Sequence, residues 1–329
     1  MRLLRLRGCS IDDRFPGSVL HFSFGLQRIL PVKIPFSSAF TRLAIWSGGR
    51  YFRKLQPSRL HPPVPAWKGC VPLETASCDQ CTIRGWWQPK STKSGTVIFI
   101  HGITIHSFYY LEQAQYVSRE TGLSVAACDL RSHGISDDAP LAFGAAEAWD
   151  VRAFLTALET AGASRPFIVI GDSLGGLATQ RAVAEDDRID GAVLMQTPGW
   201  PWNAIKRTAK RLSSLARFLN SHYGYNILDD GDPRSVPRKS HYPPLLYLVG
   251  DRDFYDSNAT RSIFDWWELP NPGESNETPI TSPDRSGWYI LVEGAEHDTG
   301  LPDSYNVWRW PEVWPNILRF IEIVHERSA

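Results

Sequence analysis

Four apolar, mostly β-branched residues, Phe167-Ile168-Val169-Ile170, run directly into Gly171-Asp172-Ser173-Leu174-Gly175-Gly176. The run reads as a buried strand, and Gly171 to Gly175 fits G-x-S-x-G, the sharp strand-to-helix turn that lifts a serine above the edge of an α/β sheet. The glycines two before and two after the serine sit where side chains would clash in such a turn. Ser173 is therefore a candidate nucleophile, and its partners must be sought elsewhere in the chain.

From about residue 70 onward, short apolar runs alternate with longer helical patterns, the rhythm of a mainly parallel sheet with helices on both faces. Strands are expected at Gln80–Trp87, Thr96–Ile100, Ser124–Cys128, Phe167–Ile170, Ala192–Gln196, Leu245–Val249 and Trp288–Val292, and helices at roughly 107–121, 145–161, 174–185, 257–267 and 311–325. Two connections are too long for simple turns. The first lies between two late strands and carries Trp202, Ile205, Ala209, Leu212 and Leu219 at helical spacing, with basic residues on other faces. It reads as a helical lid over residues 198–243. The second, Leu269 to Ser286, is rich in Pro, Asn, Ser and Glu and reads as a surface loop.

The domain implied is 71–329, preceded by a basic, proline-containing extension over residues 1–70. Residues 1–60 hold eleven Arg or Lys against Asp12 and Asp13, a net of +9. The remainder holds 24 basic and 33 acidic residues, a net of −9. The opening is basic, but acidic residues arrive before any continuous apolar segment, which argues against a secretory signal peptide and leaves organelle targeting open. Within the extension, 38–55 has the composition of an interfacial helix interrupted by Gly48-Gly49. No apolar run is long enough for a transmembrane helix. Five cysteines, odd in number, argue against a disulfide framework and point to a reducing, cytoplasmic setting. Cys78-Asp79-Gln80-Cys81 lacks a second pair or a histidine at metal spacing, so the two cysteines are read as ordinary residues at the start of an early strand.

A serine hydroxyl needs a base within hydrogen-bond reach and a third group to orient that base. The strand Leu245–Val249 runs into Gly250-Asp251-Arg252-Asp253, and the strand Trp288–Val292 into Glu293-Gly294-Ala295-Glu296-His297. Parallel strands place their carboxyl ends on one edge, so Ser173, one of the two aspartates and His297 can converge there. The order Ser, Asp, His is the one this arrangement uses.

The stretch from about 80 to 325 resembles the α/β-hydrolase superfamily, and within it the branch of lysophospholipases, monoacylglycerol lipases and serine aminopeptidase-like hydrolases. The resemblance rests on His101-Gly102 after a strand, on His106-Ser107 and Tyr109-Tyr110, and on Asp129-Leu130-Arg131-Ser132-His133-Gly134-Ile135-Ser136. That last block is similar to the family's D-x-R-G-H-G-x-S, with Ser132 where the family usually has glycine. The resemblance implies Ser173 as nucleophile, His297 as base and Asp253, rather than Asp251, as acid. It implies an oxyanion hole from the backbone N–H groups of Ile103 and Leu174, with His101, His106 and His133 shaping loops.

The implied activity is ester hydrolysis through an acyl-enzyme, with lipid-like or medium-chain acyl esters favoured. A thioesterase, peptidase or acyltransferase on the same triad, or a non-catalytic binding protein of the same fold, are the alternatives. No cofactor or metal is expected. The expected partner is a small-molecule or lipid-like ester, not a nucleic acid, with the N-terminal segment or the lid as the place for peripheral membrane contact.

Overall fold

The computed structural model describes residues 62–103, 105–139, 141–199, 232–253, 263–268, 286–297 and 313–328. The expected N-terminal extension up to residue 61, residues 200–231 of the expected lid, the start of the helix expected at 257–267 and residues 269–285 of the expected surface loop lie outside these residues. Among the described residues no helix is long and apolar enough to cross a membrane.

Among the described residues eight strands form one sheet: β1 (Val71–Ala76), β2 (Thr82–Gln88), β3 (Thr96–Ile100), β4 (Ser124–Asp129), β5 (Phe167–Asp172), β6 (Ile189–Met195), β7 (Leu245–Gly250) and β8 (Gly287–Val292). Their order across the sheet is β1-β2-β4-β3-β5-β6-β7-β8. The pairs β1·β2 and β2·β4 are antiparallel, and every pair from β4·β3 to β7·β8 is parallel. The helices are α1 (Leu111–Thr121), preceded by a 3-10 turn at Ser107–Tyr110, then α2 (Ala145–Thr160), α3 (Leu174–Glu185) and α4 (Val313–Ser328).

The central strands are continuous apolar runs because both of their faces are covered. In β3, Ile98 and Ile100 enter one core with α2 and α3, while Val97 and Phe99 enter the other with α1 and α4. β5 divides in the same way, Phe167 and Val169 to one side and Ile168 and Ile170 to the other. Val313, Ile317, Phe320 and Val324 form the stripe that seats α4 on the second core, each fully buried aliphatic or aromatic side chain contributing about 1.5–3 kcal/mol. Helix α1 ends at Gly122, whose left-handed φ of 74° lets its N–H return to the Ser118 carbonyl at 3.1 Å.

Two sequence expectations need correction at this end of the sheet. Strand β1 was not expected, because it lies at the sheet edge with four of its six residues exposed and no apolar alternation to mark it. Cys78 to Cys81 are not the start of a strand; they form the turn between β1 and β2. Gln80 takes a φ of 67° there, and the Ser77 N–H closes the turn on the Cys81 carbonyl at 2.8 Å.

Candidate active site

Strands β3 to β8 run parallel, so the residues leaving their carboxyl ends crowd one edge of the sheet. Ser173 leaves β5 with φ 48° and ψ −108°, a strained conformation for a residue with a side chain. Neighbouring bonds hold it: its N–H donates to the carbonyl of Met195, the last residue of β6, at 2.9 Å, and its own carbonyl accepts Leu177 N–H at 3.1 Å to begin α3. The tightness of the turn dictates the flanking glycines. A β-carbon on Gly171 would strike Thr179 Oγ1 and the Gly175 carbonyl, and one on Gly175 would strike the carbonyls of Ile100 and His101.

Ser173 Oγ lies 3.1 Å from His297 Nε2, and His297 Nδ1 lies 2.9 Å from Asp253 Oδ2. The carboxylate can only accept, so Nδ1 carries the proton of that bond and Nε2 is left to accept from the serine hydroxyl. Ser173 is 7% and His297 8% exposed, and the Asp253 side chain only 1%, so this chain of bonds is largely shielded from water. The loops after β7 and β8 are stitched together to present it. Asp251 N–H donates to the Val292 carbonyl at 3.0 Å, Arg252 N–H to the Ala295 carbonyl at 3.0 Å, and Gly294 N–H to Asp251 Oδ1 at 2.7 Å. Thus Asp251 spends its side chain on the turn, and Asp253 is the aspartate brought to His297.

The loop after β3 closes on the same point. A β-carbon built on Gly102 would lie 3.4 Å from Ser173 Cβ, so the backbone leading to Ile103 passes directly beside the serine. Ile103 is half-buried in this loop, and Leu174 is the first residue of α3, where the N–H groups of a helix lack intrahelical acceptors. His101 is fully buried with both ring nitrogens in use: Nδ1 donates to the Gly102 carbonyl at 2.7 Å, and Nε2 accepts Leu130 N–H at 2.9 Å. His133 packs against it with ring centroids 4.7 Å apart and donates Nδ1–H to the Arg131 carbonyl at 2.8 Å. His106 immediately precedes Ser107, whose N–H donates to Asp129 Oδ1 at 2.7 Å.

Asp129 organises the block that follows β4. Its second carboxylate oxygen accepts Ile135 N–H at 2.9 Å, and its carbonyl accepts Ser136 Oγ at 2.5 Å. Gly134, at φ 47°, is required because a β-carbon there would overlap the Asp129 carboxylate. Arg131 is buried and binds Asp150 through Nη2 at 2.7 Å and Asp79 through Nη1 at 2.7 Å. This fixes the Cys78–Cys81 turn from below. Burial beside the Asp150, Asp79 and Asp137 carboxylates pushes the Cys81 thiol up to about 12, against the pull of Arg131, the reverse of what a reactive thiolate needs. Among the described residues no group of three or more His, Cys, Asp or Glu is placed to hold a metal ion.

Sequence reasoning passed over one buried cluster here. Asp172, 2% exposed, accepts a hydrogen bond from Tyr110 Oη at 2.9 Å and one from Gln196 Nε2 at 3.2 Å. The only signal was an acidic residue closing an otherwise apolar strand.

The strand order and the serine turn are those of the α/β-hydrolase fold, and Ser173, His297 and Asp253 meet at one edge of its sheet. Residues 91–242 match the family described as serine aminopeptidase, S33. No curated protein matches the sequence. Among solved structures the chain is similar to the esterase Pf2001 of Pyrococcus furiosus, with a TM-score of 0.58 and 22% identity over 81% of this chain and 98% of that one. It is similar also to Est1E of Butyrivibrio proteoclasticus, solved with ferulic acid bound, at a TM-score of 0.54 and 16% identity over 77% and 99%. A third is the α/β hydrolase GrgF of a Penicillium species, at 0.51 and 15% over 78% and 98%. These likenesses are of fold.

Proposed function

We propose that the protein is a serine hydrolase that cleaves carboxylic esters through an acyl-enzyme. The observation that carries this reading is the continuous bond chain from Ser173 Oγ through the His297 ring to Asp253, shielded from solvent and beside a backbone loop. Ser173 Oγ attacks the ester carbonyl carbon as His297 Nε2 takes its proton, and Asp253 stabilises the imidazolium. The N–H groups of Ile103 and Leu174 receive the negative oxygen of the tetrahedral intermediate. Collapse breaks the C–O bond to the alcohol, which leaves with the proton from His297. Water, deprotonated by the same histidine, then attacks the acyl carbon and releases the acid and Ser173.

Lipid-like or medium-chain acyl esters suit the aromatic and aliphatic content of the lid segment, Trp200, Trp202, Ile205, Phe218, Tyr223 and Tyr225. The basic residues Lys206, Arg207, Lys210, Arg211 and Arg217 would favour an anionic head group or surface. A second reading, aminoacyl amide hydrolysis, draws on the family description of a serine aminopeptidase. A panel of p-nitrophenyl esters of rising chain length, run beside aminoacyl amides and acyl thioesters, decides between them. Ester turnover is expected to lead and to peak at medium or longer chains, whereas amide turnover well above ester turnover would sink the ester assignment. Labelling by a fluorophosphonate probe should vanish in Ser173→Ala.

A further inference from the structure

We propose that Asp172 is a positioning residue of this site: its buried carboxylate, tied to Tyr110 and Gln196, sets the serine turn against the His101-Gly102-Ile103 loop. The inference rests on the serine-hydrolase reading above and adds to it a residue that never touches the substrate. Ser173 and the loop donor Ile103 come from different strands, so nothing in the geometry of either segment alone fixes the distance between them. Asp172 is where the segments meet.

Three structural elements converge on this one side chain. Tyr110 reaches Oδ2 from the end of the 3-10 turn that precedes α1, downstream of the loop, and its ring is held by stacking on Phe99 at 5.9 Å and by an edge contact with Tyr109 at 5.4 Å. Gln196 reaches Oδ1 from the exit of β6, where its backbone takes a φ of 48° and its N–H donates to the Leu248 carbonyl at 2.8 Å. The loop itself approaches from the third side, since a β-carbon on Gly102 would lie 3.4 Å from Asp172 Oδ2. The next residue in the chain is the strained serine, whose N–H bonds to Met195, the neighbour of Gln196. The elbow is therefore anchored to the β6 exit by a backbone bond from Ser173 and a side-chain bond to Asp172.

The chemistry explains what this residue contributes. A carboxylate buried beside a developing oxyanion opposes that charge, so negative charge alone gives Asp172 no reason to be there. Two acceptor oxygens in a fixed fork, holding an O–H and an N–H from two different elements, do give a reason. Asparagine in the same place could keep both bonds, Oδ1 accepting from Gln196 and Nδ2 donating to Tyr110 Oη. Position would be preserved without the charge, whereas alanine would release both donors.

The test uses the full chain, with ester turnover, fluorophosphonate labelling and thermal melting measured on each variant. Asp172→Ala should lower kcat by about 10- to 100-fold at nearly unchanged KM, the scale of a displacement of roughly an ångström among reacting groups. Asp172→Asn should restore kcat to within about threefold of the wild type, the margin left when both bonds are remade. Tyr110→Phe, which removes one oxygen and keeps the fold in play should Asp172→Ala melt too low, should lower kcat several-fold alone and add nothing on top of Asp172→Ala. A carboxylate that only supports the fold would lower the melting temperature of the variants while kcat per folded molecule stayed at the wild-type value, and that result overturns the proposal. So does an Asp172→Asn variant as impaired as Asp172→Ala, which would make charge the operative property. Labelling that persists in Ser173→Ala would instead remove the hydrolase reading and the positioning role with it.

Discussion

Ser132 and Ala139 exchange two hydrogen bonds, Ser132 Oγ donating to the Ala139 carbonyl at 2.5 Å and accepting its N–H at 3.0 Å. They form where the sequence departs from its resembled family by placing serine where glycine is usual, and the structure gives the reason glycine suits: φ at Ser132 is 61°. A side chain in that region carries a conformational cost, which the reciprocal pair with Ala139 offsets. Ser132→Ala keeps the cost and loses both bonds, so it should destabilise by about 1–3 kcal/mol. Ser132→Gly loses the bonds and relieves the strain, and should stay within about 1 kcal/mol of the wild type. Urea unfolding of the three proteins measures the order, and an alanine variant as stable as the serine would refute this account.

Arg131 is the next dependency. It is buried between Asp150, itself fully buried, and Asp79, 18% exposed at its side chain. Arg131→Met leaves a carboxylate in the core without its counter-charge and should cost about 3–5 kcal/mol. Asp79→Asn removes the more solvated partner and should cost clearly less. Comparable losses from the two substitutions, read from denaturant midpoints at constant slope, would show that Asp150 is not the partner that matters.

How much of this could be read beforehand depended on whether the physics was local. Strands β3 to β7 announce themselves because burial on both faces demands apolar runs, as in Phe167–Ile170. β1 does not, being an edge strand whose exposed residues Val71, Pro72, Glu74 and Ala76 carry no apolar alternation. Ser173 was visible in its glycines and His297 in its place after the last strand, since both follow from the turn chemistry of the residues around them. The choice between Asp251 and Asp253 was not local: only the fold shows that the Gly294 N–H occupies the first and His297 the second. The Asp172 cluster was least legible, because Tyr110 and Gln196 stand 62 and 24 residues away and meet it only once the sheet has assembled.

Asp186 supplies a pH dependence of stability away from the site. Burial pushes its carboxyl up, but hydrogen bonds from Arg188, including Nη2 at 2.6 Å, and the nearby Arg152 charge more than offset this, and the net direction is downward. A carboxyl whose folded value is depressed stabilises the fold above its unfolded value and loses that contribution as pH falls through the folded one. Asp186→Asn should therefore destabilise the protein by about 1–3 kcal/mol near pH 7. The gap to the wild type should narrow as pH drops below about 4, the ordinary aspartate value. A gap that stayed constant from pH 7 to pH 3 would mean that the Arg188 contacts do not depend on the charge of Asp186.

The two aspartates after β7 make opposite predictions for turnover. Asp253 Oδ2 sits 2.9 Å from His297 Nδ1 with its side chain shielded, whereas Asp251 is exposed and accepts the Gly294 N–H. On the proposed mechanism, Asp253→Asn replaces a carboxylate that stabilises the imidazolium with an amide that can present an N–H to Nδ1 and favour the wrong tautomer. A loss in kcat of about 10³- to 10⁴-fold is expected, the scale seen when the acid of such a triad is neutralised. Asp251→Asn keeps an oxygen for Gly294 and should leave kcat within a few-fold, with any effect appearing in thermal stability as the loops after β7 and β8 loosen. Equal losses from the two substitutions in folded protein would mean that the pairing of Asp253 with His297 does not carry the acid's role.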